Sequence, residues 1–279
     1  MAGTLYLVST PIGNLEDITL RALKTLKSVS LIACEDTRQT SKLLHHYQIS
    51  CPTISYHEHN EQERSLHLLN KLNSGESIAL VSDAGTPIIS DPGFVLVQKA
   101  IESQISVISI PGPSALLPAL IGSGLPCHEF LFIGFLPSKQ SQRRKKLEEI
   151  KSLPYTIICY ESPHRISPTL LDAQEILGIR KTVIARELTK LHEEFLRGTL
   201  SDLNNKILEH PLKGELVLVI APADQTTEIH NLEKSLSQAI EDQMTNNNLD
   251  KMAALKVVAR SLGISKSEAY RRLQMEENK

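Results

Sequence analysis

Apolar residues in the first hundred or so positions fall into short unbroken runs, with amphipathic stretches between them. TLYLV (4–8), VSLIAC (29–34), a short run near 53–56, SIALVS (77–82) and ISVISI (105–110) read as strands. Between them, residues 15–27 set Leu15, Ile18, Ala22, Leu23 and Leu26 at helical spacing. Further helices are expected near 38–48, across Leu66, Leu69 and Leu72, over 92–103 and over 114–121. Strands that are apolar at successive positions are buried on both faces. Separated by helices, they predict a parallel sheet covered on both sides.

The rhythm then changes. FLFIGF (130–135), YTIICY (155–160), KTVIARE (181–187), EEFLRGTL (193–200) and ELVLVIA (215–221) read as strands, with helices at about 166–177 and 201–209. The segments 181–187 and 193–200 leave no room for a helix between them, so part of this sheet is antiparallel. Asp224–Asn231 reads as a polar linker. Beyond it, Leu232, Leu236, Ala239, Ile240 and Met244 mark a helix stopped by the asparagines at 246–248. A second helix over 250–262 closes at Gly263, and a Ser-capped third spans 265–274, a helix-turn-helix spacing that a plain helical hairpin shares. The expected organisation is α/β: a parallel-sheet domain over 1–113, a mixed α/β domain over 114–224 with a ligand cleft between them, and a small helix-turn-helix-like domain over 230–279.

Composition adds constraints. With 279 residues, 41% hydrophobic and 22% charged, the chain has enough apolar surface for a sizeable core. Aromatics are 4% and Trp is absent, so the core is aliphatic. The net charge of −2 hides two basic segments. One holds Lys139, Arg143, Arg144, Lys145, Lys146 and Lys151, and the other includes Arg271 and Arg272; each nets +4. Such patches on an acidic body fit local contact with a polyanion, and they fit solvated helix faces as well. None of the four cysteines forms a C-x-x-C pair, and Cys34 and Cys159 close apolar runs, as free thiols of a reduced, cytoplasmic protein do. Residues 103–127 lack charge, but Pro111, Pro113, Pro118 and Pro126 break the run.

The strongest internal signal is a recurrence. LYLVSTPIGN, IALVSDAGTP and ISVISIPGPSA each run from an apolar strand through a small hydroxyl residue and a Gly/Pro loop into a helix. In a parallel sheet such loops gather at the carboxyl ends of the strands, where ligands bind. Neither GxxxxGK[ST] nor GxGxxG is present, so nucleotide hydrolysis and Rossmann-type dinucleotide binding lose support. The segment His57-Glu58-His59-Asn60-Glu61 lacks a third ligand at metal spacing, so no metal is expected. Polar residues also cluster where strands end, at Glu35-Asp36-Thr37-Arg38, Tyr160 to Arg165, and Ala185-Arg186-Glu187.

STPIGNLEDITLRAL, ACEDTR, SYHEHNE, VSDAGTPIISDPG, IPGPSA, GFLP, YESPHR and ARELTKLHEE, in this order and spacing, resemble the bacterial 16S ribosomal RNA cytidine 2′-O-ribose methyltransferases. That family belongs to the tetrapyrrole-methylase-like class of S-adenosylmethionine (AdoMet) enzymes. The resemblance covers about residues 3–222. It implies a homodimer with AdoMet in the cleft and methyl transfer to a decoding-region cytidine of 16S rRNA in the small ribosomal subunit. It assigns Asp83, Gly85, Thr86, Ser114 and Ala115 to the cofactor, with Thr10 and Pro11 nearby and Tyr160 and Ala185 at strand ends. Glu161, Glu35 and Asp36 are candidate bases for the ribose hydroxyl. Arg38, Arg165 and Arg186 are candidates for flanking phosphates, with Arg143, Arg144, Lys145 and Lys146 along the RNA backbone and Arg271 and Arg272 in the tail. The competing readings are a small-molecule tetrapyrrole methylase of the same fold and a non-enzymatic helix-turn-helix nucleic-acid-binding protein.

Overall fold

Two five-stranded sheets organise residues 2–223 of the computed structural model, which also describes 236–247, 249–261 and 265–277. The chain divides into two compact units, Met1–Pro222 and Ala223–Lys279.

The first sheet contains β1 (Thr4–Val8), β2 (Leu31–Cys34), β3 (Thr53–Ser55), β4 (Ile78–Val81) and β5 (Ser106–Ile110). All pairings are parallel, in the order β3-β2-β4-β1-β5, as the apolar runs predict. Both faces are covered. Helices α1 (Leu20–Ser28) and α2 (Thr37–His46) pack Ala22, Leu26 and Leu44 onto Val8, Ile32 and Val81. On the other face α3 (Glu61–Asn73) and α4 (Phe94–Glu102) pack Leu68, Leu72, Leu96 and Ala100 onto Leu5, Ala33 and Leu80. The expected helix over 15–27 splits: Leu15–Asp17 is a separate 3₁₀ turn, and α1 starts only where the Thr19 side chain caps the Ala22 N–H.

The second sheet contains β6 (Phe130–Phe135), β7 (Thr156–Glu161), β8 (Lys181–Arg186), β9 (Glu194–Thr199) and β10 (Leu216–Ile220), in the order β6-β7-β10-β8-β9. Only β6 and β7 run parallel; β8 and β9 pair antiparallel, as their short connection requires. The period-2 alternation sorts β10 cleanly. Leu216, Leu218 and Ile220 face α6 (Gln140–Ile150), α7 (Ile166–Leu177) and α8 (Leu200–Glu209). Val217 and Val219 face α5 (Leu116–Ser123) and Ile12 of the first sheet's β1 loop.

Helix α6 corrects the reading of its basic run as a single patch. Successive helical residues point about 100° apart, so four adjacent cations cannot share a face. Arg143 turns inward with Leu147 and Ile150 and is buried. The Arg143 guanidinium meets the equally buried Asp172 of α7, with Nε 2.7 Å and Nη2 2.6 Å from Oδ2. Arg144 pairs with Asp172 and Glu175, and Lys146 with Glu149, while Lys145 is exposed.

In the second unit, Leu236–Asn247, Lys251–Ser261 and Lys266–Glu277 are helical. They share a core that includes Ile240, Leu255, Val258 and Leu273. Ser265 caps the last helix through the Glu268 N–H, as expected. The first helix ends at Asn247, within the run of asparagines expected to stop it. The expected linker Asp224–Asn231 and the Gly263 turn lie outside the described residues.

Candidate active site

The three Gly/Pro loops meet at the carboxyl end of the first sheet. Thr10 and Gly85 exchange backbone hydrogen bonds, each 2.9 Å, which stitch the β1 loop to the β4 loop. Ser9 donates to the Thr86 hydroxyl (3.1 Å), which donates to the Pro113 carbonyl of the β5 loop (3.1 Å). The Thr10 hydroxyl donates to the Ser82 carbonyl (3.0 Å). Gly85 holds φ +82°, a left-handed conformation that a side chain strains. The small hydroxyl residues are therefore spent largely on fixing the loops to one another.

The β4 and β5 loops form one wall of a cavity of about 380 Å³, within the range of small-ligand sites. Ala84, Gly85, Thr86, Ser114 and Ala115 line this wall. The opposite wall comes from the second sheet: Phe135, Tyr160–Pro163, and Gly214–Val217 at the start of β10. A bulge in β6, where the register shifts between Phe132 and Phe135 around Gly134 (φ +63°), turns Phe135 onto the cavity. Phe132 and Phe135 both stack edge-on against Tyr160, with centroids 5.0 and 5.6 Å away. Burial pushes the Tyr160 phenol up, and the Asp91 carboxylate raises it further.

A second cavity of about 350 Å³ opens beside α2 and contains Thr10, Pro11, Gln39, Lys42, Ser82 and Asp83. The expected cofactor residues therefore divide. Gly85, Thr86, Ser114, Ala115 and Tyr160 line the larger cavity, while Thr10, Pro11 and Asp83 line the smaller one. Ala185 lines neither. It is 1% exposed in β8 and packs with Val217 on the α5 side of the sheet.

The candidate bases also separate. Glu161 reaches the larger cavity but is buried with both oxygens engaged. Its Oε1 accepts from the Ser162 N–H (2.9 Å) and faces Arg165, and its Oε2 accepts from Thr169 (2.7 Å). Asp36 caps α2 and grips Arg38, whose guanidinium and N–H hold the carboxyl down at about 2. Glu35 lines neither cavity; partial desolvation and the neighbouring Asp83 raise its pKa. Among the arginines, Arg38 is 87% exposed, whereas Arg165 gives Nη2 to the Leu136 carbonyl and Arg186 lies 3.6 Å from Glu194. Arg271 and Arg272 are exposed and both pair with Glu268.

Sequence reasoning missed Asp91, Phe135 and the Gly214–Val217 segment. Asp91 lines the larger cavity, and burial, followed by the Glu35 charge, pushes its carboxyl up to about 6. Its signals are the Ser-Asp-Pro-Gly turn at 90–93, which reads as plain punctuation, and its place at the end of the VSDAGTPIISDPG motif, which assigns it no role. Among the described residues, no cluster of three or more His, Cys, Asp or Glu side chains is arranged to hold a metal ion, and no helix is long and apolar enough to cross a membrane.

The larger cavity fits AdoMet chemically. It offers aromatic and aliphatic walls for a purine, backbone groups of Gly/Pro loops for polar atoms, and the carboxylates of Glu161 and Glu215 toward a cation.

Comparison with known proteins agrees with this arrangement. The model of the tetrapyrrole (corrin/porphyrin) methylases matches residues 4–204. A protein of Halalkalibacterium halodurans called ribosomal RNA small subunit methyltransferase I is 50% identical over 271 residues, 96% of this chain and 93% of its own. Its namesake in Haemophilus influenzae is 45% identical over 273 residues, covering 97% and 96%. Among solved structures, the methyltransferase CobJ superposes with a TM-score of 0.61 at 17% identity, covering 80% of this chain and 95% of its own. Uroporphyrin-III C-methyltransferase of Thermus thermophilus, complexed with S-adenosylhomocysteine, gives 0.55 at 18%, covering 78% and 97%.

Proposed function

The chain belongs to the tetrapyrrole (corrin/porphyrin) methylase family, and from that premise we propose that it is an AdoMet-dependent methyltransferase acting on small-subunit ribosomal RNA, at the ribose 2′-hydroxyl of a cytidine in the decoding region. The observation that carries the RNA substrate is likeness along nearly the whole chain, at 45–50% identity, to small-subunit rRNA methyltransferases. The solved tetrapyrrole enzymes share the fold at under 20% identity, which speaks for the scaffold and not for their substrates.

Gly85, Ser114 and Ala115 hold the cofactor from the first sheet, and Tyr160 and Val217 close on it from the second. The bound cofactor supplies an electrophilic methyl group on a sulfonium. The protein's part is positioning, since an in-line displacement needs its partners held in one geometry. The Ser9–Thr86–Pro113 relay and the Thr10–Gly85 bridge fix the three loops in advance. Asp83 lines the neighbouring cavity, on the other side of the shared β4 loop. Arg38, Lys145 and Lys146 meet the RNA backbone. The tail, with Arg271 and Arg272, docks RNA without entering the chemistry. The enzyme works as a cytoplasmic homodimer.

The test incubates purified protein with labelled AdoMet and either assembled small subunits or free 16S rRNA, then maps ribose methylation. A methylated decoding-region cytidine supports the reading. Label on a tetrapyrrole and none on RNA overturns it.

A further inference from the structure

Three carboxylates line the larger cavity: Asp91, Glu161 and Glu215. Glu161 is held on both oxygens, by the Ser162 N–H and the Thr169 hydroxyl, with Arg165 beside it. Glu215 has a side chain 73% exposed and ion-pairs with Lys190 at 3.1 Å. Asp91 differs from both. It is half-buried, and no cation pairs with it among the described residues. A carboxylate left without a cation in a cavity wall is costly to keep for stability alone.

The segment that presents it is strained in a way the fold enforces. Ile88, Ser90 and Gly93 all have positive φ, at +78°, +67° and +135°. A β-branched residue in that region is a true outlier. The surroundings fix it. A Cβ on Gly93 would lie 2.6 Å from Leu80 Cδ2, Ile88 packs against the core of the first sheet, and the Gly134 bulge sits against Ser90. The backbone on either side of Asp91 is thus locked, with the carboxyl at the cavity.

We propose that Asp91 is the general base that takes the proton from the acceptor hydroxyl. This rests on the methyltransferase reading above. As the hydroxyl oxygen bonds to the methyl carbon, its O–H bond breaks and the proton passes to Asp91. The carbon–sulfur bond breaks with its electron pair left on sulfur, so a sulfonium and a carboxylate become a thioether and a carboxylic acid. Burial, Glu35 and Asp83 disfavour charge on Asp91, the Ser82 hydroxyl partly offsets them, and Tyr160 faces it across the cavity. These groups set the carboxyl at about 6, closer to working pH than an ordinary aspartate and hence a stronger base.

The test compares wild type with Asp91→Asn and Asp91→Glu in three measurements. Methyl transfer to small subunits is followed from about pH 5 to about pH 8 as kcat and, at subsaturating AdoMet and subunits, as kcat/KM, AdoMet affinity by calorimetry, and the aspartate carboxyls of the free protein by ¹³C NMR. In wild type kcat/KM rises through an acid limb near pH 6, and in the free protein a carboxyl titrates there that is missing from Asp91→Asn. In Asp91→Asn kcat falls by about 10²–10⁴-fold and the limb vanishes, while AdoMet affinity holds within about twofold; Asp91→Glu recovers part of the rate. The assignment is overturned by any of three results: Asp91→Asn keeping its kcat within about threefold, AdoMet affinity falling in step with kcat, or the Asp91 carboxyl titrating near 4. No transfer to rRNA by wild type would overturn the methyltransferase reading itself, and the base assignment with it.

Discussion

The buried pair between α6 and α7 separates a structural cation from the neighbours proposed to meet RNA. The Arg143 and Asp172 side chains are 5% and 3% exposed, with nitrogens 2.6 and 2.7 Å from Oδ2. Asp172→Ala would leave the guanidinium buried with only the Ser138 carbonyl, 3.2 Å from Nη1, to satisfy it. Stranding one partner of such a pair costs about 3–5 kcal/mol. Arg143→Gln should cost less, about 1–3 kcal/mol, because Gln140 (3.1 Å) and Arg144 (3.3 Å) still reach Asp172 Oδ1. The double variant Arg143→Met/Asp172→Leu removes both charges together and should recover most of the loss. Urea midpoints followed by circular dichroism give the ranking. Binding of rRNA at several salt concentrations gives the second readout: Arg143→Gln should leave the slope of log K against log salt unchanged. Lys145→Gln should do the opposite, moving stability by less than about 0.5 kcal/mol and flattening the slope by about 0.7–0.9. An Arg143→Gln protein with an unchanged urea midpoint and a slope about one unit flatter would show that Arg143 reaches phosphate and that the burial reasoning is wrong.

Gly85→Val places a β-branched side chain at φ +82°, displaces the bridge to Thr10 and crowds Ile12; calorimetry should show AdoMet affinity reduced by more than about tenfold. Truncation after Pro222 removes a separate compact unit, so AdoMet affinity should survive while rRNA affinity falls; full rRNA binding by the truncated protein would make the tail a structural cap. Asp91→Asn should stabilise the protein at neutral pH. The folded-state carboxyl sits at about 6, above the unfolded value near 4, so the native state holds its proton longer than the unfolded chain and the wild type loses stability as pH rises across that interval. Melting temperatures of the two proteins should converge near pH 4 and separate above about pH 6, with the variant higher; a variant less stable at neutral pH would contradict the burial cost assigned to Asp91.

Most of the fold was legible because it rests on burial at short range. Unbroken apolar runs gave the parallel sheet, and the short 187–193 connection gave the antiparallel β8–β9 pair. Helix α6 was not, and the reason is specific. Its inward face is Arg143, Leu147 and Ile150, at the correct i, i+4, i+7 spacing, but one of the three is an arginine. A reading that counts only apolar residues sees two in eleven positions and no helix. The buried Asp172 that makes the arginine tolerable lies 29 positions away. The same chemistry misled the charge reading, which saw a basic patch where the helix distributes its cations around its circumference.

The site divides along the same line. The Gly/Pro loops were visible because their residue types are dictated locally, by turns and by strand ends. What those ends present to a ligand depends on register and on the second sheet. Tyr160 and Ala185 stand at comparable strand ends, on β7 and β8, and both face the α5 side. Yet Tyr160 lies near the open cavity end, where the Phe135 bulge meets it, while Val217 and α5 cover Ala185. Asp91 was illegible for the complementary reason. Asp-Pro-Gly states a turn, and nothing local says that Leu80 will leave Gly93 no room for a side chain, or that Glu35 and Asp83 will crowd the carboxyl. A residue whose chemistry is made by distant neighbours leaves no periodic trace. The strained backbone at Ile88 and Ser90 is where that chemistry first becomes visible, because the loop keeps a conformation its own sequence disfavours, and the tertiary packing around it is what enforces that conformation.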